Sequence, residues 1–217
     1  MAKRVKNNVA IIGCGPGSMS HMTLGALKRI QEADVVVGSR RLLNLFSEVK
    51  AEKFILGKNY RTLLTKIERL RARKHVVILV SGDPGFFSYA RLVISKLGKE
   101  HCDVIPGISS VQLAFASVGL HWCDAYFTSL HGRKSELQDL VDVIKAHDKV
   151  AVLTDVSMSP KVICTALKKG GVKGKKIYLC ENLSLKNERI REYDISSFSK
   201  ADSESMNLMI FLSEGHN

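Results

Sequence analysis

Two hydrophobic spacings alternate along the first half of the chain, and each predicts a different kind of element. Short continuous apolar runs predict buried strands, and apolar residues that recur every three or four positions predict helices. Strands and helices follow one another in the βαβ order that is typical of a largely parallel sheet covered on both faces. In chain order we predict strand 9–12, helix 23–33, strand 34–37, helices 40–46 and 60–73, strand 75–80, helix 90–97 and strand 102–105.

The same alternation restarts after Pro106 and Gly107, which close the last of these strands. A chain of 217 residues is long enough for one large domain or two small ones. We therefore predict an α/β fold of two domains, residues 1–107 and residues 108–217. The second domain is predicted to contain helix 109–117, strand 125–130, helix 135–145, strand 150–154, helix 160–167, and strands 176–180 and 208–212.

The chain is strongly basic, with 33 Lys and Arg against 21 Asp and Glu and a formal net charge of +12. Such a surplus attracts polyanions, which include nucleic acid and small substrates with many carboxylates. The basic residues do not form one block, and runs of them occur in segments 69–74 and 168–176. Solvated helix ends explain these segments equally well, because the helix dipole favours cations at a C-terminus.

The lack of a recognisable targeting signal and the pattern of cysteines predict a cytoplasmic protein. No apolar run approaches the roughly 20 residues of a membrane helix, and the basic N-terminus lacks the apolar stretch of a signal peptide. The five cysteines are odd in number and form no C-x-x-C pair. We therefore expect buried reduced thiols rather than disulfides or a metal site.

A glycine-rich loop, Gly13-Cys-Gly-Pro-Gly17, follows the first predicted strand. Dinucleotide-binding proteins carry G-x-G-x-x-G at this place, but here the third glycine comes one residue early. Pro16 also has no N–H to offer a pyrophosphate. The loop therefore favours a cofactor without phosphates, and a turn that uses glycine only for its positive φ is the alternative.

A second loop, Ser81-Gly-Asp-Pro-Gly85, follows the predicted strand 75–80. Open α/β sheets bind ligands at the carboxyl ends of their strands. Asp83 could accept hydrogen bonds there from an amine or a sugar hydroxyl. A plain Asp-Pro-Gly turn is the alternative.

Two further segments carry candidate polar groups. Ser109 and Ser110 follow Pro106-Gly107 at the predicted domain junction, where Ser109 is also a natural helix N-cap. In segment 129–133, His131 is a candidate general acid or base and Arg133 a candidate carboxylate ligand. An ordinary loop histidine is the alternative for His131.

Taken together, these segments resemble the tetrapyrrole methylase family, the S-adenosylmethionine-dependent enzymes of corrin and sirohaem synthesis. The likeness extends through nearly the whole chain, and its most specific parts keep the family's order. Within the family, several segments are most similar to the branch that methylates carbon C5 of corrin precursors in cobalamin biosynthesis. The segments are 9–17, 33–40, 81–87 and 105–113 for the family, and 37–43, 85–87, 109–112 and 129–133 for that branch.

The resemblance implies two α/β domains that hold S-adenosylmethionine between them, with S-adenosylhomocysteine as the product, and it implies a homodimer. Some members of the branch carry a second domain that methylates C15 and decarboxylates. This chain is too short for such a domain, so we expect a separate protein to perform that step. The donor contacts that transfer from the family are Pro16, Ser81, Gly82, Asp83, Ser109, Ser110, Thr154 or Asp155, and, at Glu181-Asn182, Asn182.

The implied reaction needs alignment more than acid–base chemistry, because the tetrapyrrole carbon is itself electron-rich. Holding the reacting groups in line is the enzyme's main task. His131 is a candidate for accepting the proton that is lost afterwards or for contacting a propionate of the substrate. Arg40, Arg41 and Arg133 are the candidates for binding the acetate and propionate arms of the tetrapyrrole.

Other interpretations remain open at this point. A different precorrin methylase, an rRNA methylase and a diphthine synthase would share the same fold, and the basic charge suits RNA. A non-enzymatic nucleic-acid-binding module is a further alternative. Against that module, only 6% of residues are aromatic, and no stacking platform or recognised binding motif is evident.

Overall fold

A computed structural model of the chain describes residues 8–57, 60–130, 137–155, 157–198 and 206–216. The chain forms two compact units, residues 1–109 and residues 110–217. Each unit contains one five-stranded sheet and its own helices. The α/β fold class predicted from the sequence is therefore confirmed.

The first unit has a sheet in the order β3-β2-β4-β1-β5, and every neighbouring pair is parallel. This agrees with the βαβ order of the predicted elements. The elements are β1 (Val9–Gly13), α1 (Leu24–Gln31), β2 (Val35–Gly38), α2 (Arg40–Leu45), β3 (Glu52–Ile55), α3 (Tyr60–Leu70), β4 (Val76–Val80), α4 (Ala90–Leu97) and β5 (Cys102–Ile105).

Helices cover both faces of this sheet. Successive side chains of a strand point to opposite faces, so alternate residues of β1 pack against different helices. Val9 and Ile11 of β1 pack in one buried cluster with residues of α3 and α4. Ala10 and Ile12 pack in a second buried cluster with residues of α1 and α2. The central strands β1 and β4 are consequently buried throughout. Polar groups that could contact a ligand are therefore expected in the loops that follow these strands.

The second unit has a mixed sheet in the order β6-β7-β10-β8-β9. Parallel pairing holds for β6 and β7, and the other three pairs are antiparallel. The sheet is mixed because β8 and β9 form a hairpin and the last strand inserts between β7 and β8. The elements are α5 (Ser110–Val118), β6 (Tyr126–Ser129), α6 (Leu137–Ala146), β7 (Lys149–Leu153), α7 (Pro160–Lys169), β8 (Lys175–Glu181), β9 (Arg189–Asp194) and β10 (Asn207–Ser213).

Two strands, β3 and β9, were not predicted from the sequence. Both lie at the edge of their sheets, and most of their residues are exposed or half-buried. Their sequences, Glu-Lys-Phe-Ile and Arg-Ile-Arg-Glu-Tyr-Asp, are rich in charge. Charged side chains are typical of edge strands, which leaves such strands with little apolar signal.

All five cysteines are free. Cys14, Cys164 and Cys180 are buried as expected, whereas Cys102 is half-buried and Cys123 is exposed. Within the described ranges, the helices are too short or too polar for any of them to cross a membrane.

Candidate functional site

In the first unit, the loops after β1 and β4 join through their backbones at the carboxyl edge of the sheet. Cys14 N donates to Val80 O at 2.9 Å, so the loop after β1 begins as a continuation of the strand pairing. Gly15 and Gly82 then exchange two hydrogen bonds, Gly82 N to Gly15 O at 2.8 Å and Gly15 N to Gly82 O at 3.3 Å. Two of the loops singled out in the sequence therefore form one structure.

Glycine is required where the loop after β5 reaches the other two. A Cβ on Gly13 would lie 2.6 Å from both Gly107 N and Gly82 O. A Cβ on Gly107 would lie 2.5 Å from Gly82 O and 2.6 Å from Gly13 O. These distances are well inside van der Waals contact, so three backbones can meet here only because none of them carries a side chain.

Asp83 ties two of the three loops together. Its Oδ1 accepts a hydrogen bond from Gly85 N at 2.7 Å, and its Oδ2 accepts one from Gly107 N at 3.1 Å. A carboxylate has about four acceptor sites. Half-buried Asp83 therefore keeps acceptor capacity for a ligand while its orientation is fixed.

Two N–H groups of the first loop, those of Cys14 and Gly15, are directed into the protein and not toward a ligand. Cys14 N and Gly15 N are paired with Val80 O and Gly82 O. Pro16 is buried and has no N–H. At these three consecutive positions the loop therefore offers no free donor to a pyrophosphate.

Arg41 lies beside this edge and contacts Ser81. Its Nη2 donates to Ser81 Oγ at 3.0 Å. Burial lowers the pKa of the Arg41 guanidinium. Burial also raises the pKa of the Cys14 thiol to about 12, so the thiol is neutral at physiological pH. Arg40, by contrast, is exposed, so the two predicted substrate arginines have different environments.

The adjacent serines fall on either side of the boundary between the units. Ser109 is buried and is the last residue of the first unit. Ser110 is half-buried and begins α5 of the second unit.

In the second unit, Thr154 and Asn182 lie on opposite sides of the beginning of β10. Thr154 Oγ1 lies 2.6 Å from Asn207 Oδ1 and 2.8 Å from Asn207 O. Asn182 N donates to Met206 O at 2.9 Å. Asn207 and Met206 therefore connect two predicted site residues, and no motif in the sequence pointed to either of them.

A buried carboxylate fixes the strand end that precedes Asn182. Glu181 is fully buried and accepts two hydrogen bonds from Arg189, at 2.8 and 3.1 Å, and one from Arg191, at 2.9 Å. Asn182 follows with a positive φ of 48°. The charge alternation of β9 is the sequence signal for this cluster, because it places both arginines on the same side of that strand.

His131 and Arg133 lie outside the described residues. The candidate for proton transfer and one of the three candidate substrate arginines therefore stay predictions from the sequence.

A set of possible metal ligands occurs elsewhere in the second unit, at His121, Cys123 and Asp124, whose ligand atoms lie within 4.8 Å of one another. The ammonium of Lys149 lies 2.9 Å from Asp124 Oδ1 and 3.1 Å from His121 Nε2. Lys149 is only 1% exposed, and its hydrogen bond lowers the pKa of Asp124. A divalent cation bound here would be repelled by this ammonium at close range. His121 and Asp124 are therefore better described as hydrogen-bond partners of the buried Lys149.

Comparison with known proteins gives a consistent result. A family model described as Tetrapyrrole (Corrin/Porphyrin) Methylases matches residues 8–198. The chain is 35% identical over 206 residues to the cobalt-precorrin-7 C(5)-methyltransferase of Salmonella typhimurium, with 95% of this chain and 99% of that protein covered. It is 28% identical over 192 residues to a decarboxylating precorrin-6Y C(5,15)-methyltransferase of a Sinorhizobium species, covering 84% of this chain and 44% of that protein.

Solved structures share the fold. The precorrin-6Y methylase of Archaeoglobus fulgidus superimposes with a TM-score of 0.71 at 26% identity, covering 95% of this chain and 98% of that one. The uroporphyrin-III C-methyltransferase of Thermus thermophilus, in complex with S-adenosylhomocysteine, superimposes with a TM-score of 0.76 at 24% identity, covering 94% and 97%.

Proposed function

This chain belongs to the tetrapyrrole (corrin/porphyrin) methylase family, and from that premise we propose that it transfers a methyl group from S-adenosylmethionine to carbon C5 of a corrin precursor, cobalt-precorrin-7 or its cobalt-free counterpart. One observation carries the proposal. The match to the Salmonella C(5)-methyltransferase covers 95% of this chain and 99% of that protein. The match therefore includes the whole part of the relative that could carry its activity.

The backbone junction of the first unit fits a methyl donor of this kind. S-adenosylmethionine has no phosphate, and the N–H groups of Cys14 and Gly15 are already paired within the protein. The donor instead offers hydroxyls and amines, for which Asp83 keeps acceptor capacity. When bound, the donor supplies an electrophilic methyl group. We propose that Pro16, Ser81, Gly82, Asp83 and Ser109 contribute to its site in the first unit, and Ser110, Thr154 and Asn182 in the second.

The protein's own contribution to the reaction is orientation. The first-unit loops that would hold the donor are joined by backbone hydrogen bonds and by the close approach that their glycines allow, so their positions are set within the protein itself. Alignment of reacting groups can supply about 7–11 kcal/mol in well-oriented systems. His131 stays the candidate that accepts the proton lost from the substrate.

Arg41 is the described residue best suited to hold a carboxylate of the tetrapyrrole. Its guanidinium is partly desolvated, and its partner at hydrogen-bond distance is a neutral hydroxyl. A guanidinium forms bidentate pairs with carboxylates, which strengthens binding and fixes orientation. Exposed Arg40 and residue Arg133 complete the proposed set.

The role of Arg41 is testable by a matched pair of variants. We expect Arg41→Gln to weaken substrate binding about tenfold or more and to reduce the dependence of Kd on ionic strength, because it removes a charge-assisted hydrogen bond. Arg40→Gln is the control and is expected to have a smaller effect, because Arg40 is exposed. Equal effects of the two variants would contradict the special role of Arg41.

The methyl transfer itself can be tested with ¹³C-methyl S-adenosylmethionine and a panel of precorrins, with and without cobalt. We expect one labelled methyl group at C5 in the NMR spectrum of the product, and micromolar or tighter binding of S-adenosylhomocysteine by calorimetry. Labelling at another carbon would exclude the C5 assignment. Failure to bind S-adenosylhomocysteine and to label any precorrin would exclude the proposed function altogether.

We also propose a cytoplasmic homodimer that works with a separate C15-methylating and decarboxylating protein. Five free cysteines suit a reducing compartment. The Sinorhizobium protein, whose name includes both methylations, is matched over only 44% of its length. Light scattering of the purified protein at several concentrations tests the dimer, and a monomeric mass throughout would exclude it.

A further inference from the structure

The loop between β4 and α4 contains an unusual residue, Phe87. Its φ is 45°, and half of its side chain is exposed. A bulky L-residue is strained in the left-handed region. An exposed aromatic ring also gives up the burial that would normally stabilise it. Strain of this kind persists where the surroundings enforce it, and it is concentrated at functional sites.

Hydrogen bonds and a ring contact hold the loop on either side of Phe87. Ser88 Oγ donates to Pro84 O at 2.6 Å and accepts from Ala90 N at 3.1 Å. The ring of Phe86 meets that of Phe87 edge to face, with centroids 4.7 Å apart. The exposed ring is therefore displayed by an ordered loop.

Other exposed aromatic residues in the described part of the chain have a simpler explanation. Tyr126 is stacked on His147, with ring centroids 4.6 Å apart, and Trp122 packs against Phe127. Neither has a positive φ. Among the described residues with a positive φ other than glycine, Asn182 and Ser184 are polar, so Phe87 alone combines strain with an exposed apolar ring.

We propose that Phe87 forms an apolar platform against which the ring of the tetrapyrrole packs, an inference that rests on the proposed function. A tetrapyrrole presents a broad conjugated face, with its carboxylate arms at the rim. Arginines can bind the rim, but the face needs an apolar contact. Phe87 follows Asp83 by four residues on the same ordered loop, so a ring packed on it would be held near the proposed donor site.

Binding measurements on purified wild-type, Phe87→Gly, Phe87→Ala and Phe87→Trp proteins test the platform. The macrocycle probe is uroporphyrin III, a stable tetrapyrrole with eight carboxylates, followed by its fluorescence. Butanetetracarboxylate is the competitor that carries carboxylates without a ring, and S-adenosylhomocysteine reports on the donor site by calorimetry. Leu92→Ala is the matched control, because Leu92 is 45% exposed on the adjacent helix α4.

We expect both small variants to bind uroporphyrin III about two- to tenfold more weakly, the range typical of an aromatic contact. Phe87→Trp and Leu92→Ala should bind it like the wild type. Binding of S-adenosylhomocysteine should be unchanged in all variants, and butanetetracarboxylate should not displace the macrocycle fully.

Thermal unfolding tests the backbone strain at residue 87. Phe87→Gly should melt above Phe87→Ala, because glycine adopts a φ of 45° without strain. The platform is excluded if wild-type protein does not bind uroporphyrin III or if Phe87→Gly binds it equally well. It is also excluded if the variants lose donor and macrocycle binding together. The proposed function is judged separately, by donor binding and methyl transfer in the wild-type protein.

Discussion

The two units fix their strand ends in different ways. In the first unit, three loops meet backbone to backbone, and glycine is needed because a Cβ at Gly13 would lie 2.6 Å from Gly107 N and Gly82 O. In the second unit, polar side chains make the connections, as Thr154 does with Asn207 and Glu181 with Arg189. The first arrangement depends on glycines that carry no side chain, with the Asp83 carboxylate as an additional link, and the second depends on particular polar side chains.

This difference follows from the two sheets. A parallel sheet brings the carboxyl ends of all its strands to one edge, so several loops compete for the same space there. In the mixed sheet, β10 runs against both of its neighbours, so its beginning lies beside the ends of β7 and β8. The residues that meet there can join laterally through their side chains. Steric substitutions should therefore damage the first unit most, and polar substitutions the second.

The largest effect is expected from Gly13→Ala. The new methyl group would overlap two backbone atoms that cannot easily move, and we expect a loss of about 3 kcal/mol in the free energy of unfolding, at the upper end for overpacking. Urea denaturation gives this value. Gly25→Ala in α1 is the control, because a Cβ there meets nothing within 4 Å, and it should stabilise slightly. Similar effects of both substitutions would refute the close backbone contact.

The next largest effect is expected from Glu181→Gln in the second unit. The change keeps the shape of the buried side chain but removes the charge that both arginines bind, and we expect a loss of about 2 kcal/mol. Glu192→Gln on β9 is the control, since the pair of Glu192 with Lys176 is largely exposed and should contribute much less than the buried pair. An equal loss from both substitutions in urea denaturation would show that burial of Glu181 is unimportant.

Thr154→Val should cost about 1 kcal/mol, because it leaves Asn207 Oδ1 without its hydroxyl partner. Thr154→Ser keeps the hydroxyl and should remain close to the wild type. Measuring S-adenosylhomocysteine binding for both variants also tests the proposed donor site. If valine is as stable as serine, the hydrogen bond does not help to hold β7 and β10 together.

The smallest effect is expected from Asp124→Asn, and it should depend on pH. The hydrogen bond from Lys149 lowers the pKa of Asp124 below its ordinary value of 3.8. A lowered pKa in the folded state stabilises the protein above the unfolded pKa, and this stabilisation is lost as pH falls through the folded pKa. The variant should therefore melt below the wild type at pH 7, and the gap should shrink as the pH is lowered below 4. A gap that does not change with pH would contradict the ion pair.

The sequence was sufficient for most of the fold because buried strands and amphipathic helices leave strong periodic signals. Helix 90–97 and strand 102–105 were predicted with the bounds that the structure has. The edge strands β3 and β9 were missed because a strand that packs against one neighbour needs few apolar residues. The position of β10 between β7 and β8 was also not predictable, since strand order depends on contacts between distant segments.

For the candidate site, the sequence alone supplied the residues that are close together along the chain. The loops with Gly15 and Gly82 could be recognised because glycine and proline leave local conformational signatures. The contact between these loops, the desolvation of Arg41 beside Cys14, and the link from Thr154 to Asn207 were decided only by the tertiary structure. Those pairs are separated by 27 to 67 positions in the sequence, and hydrogen bonds and burial depend on distance in space, which local sequence patterns do not encode.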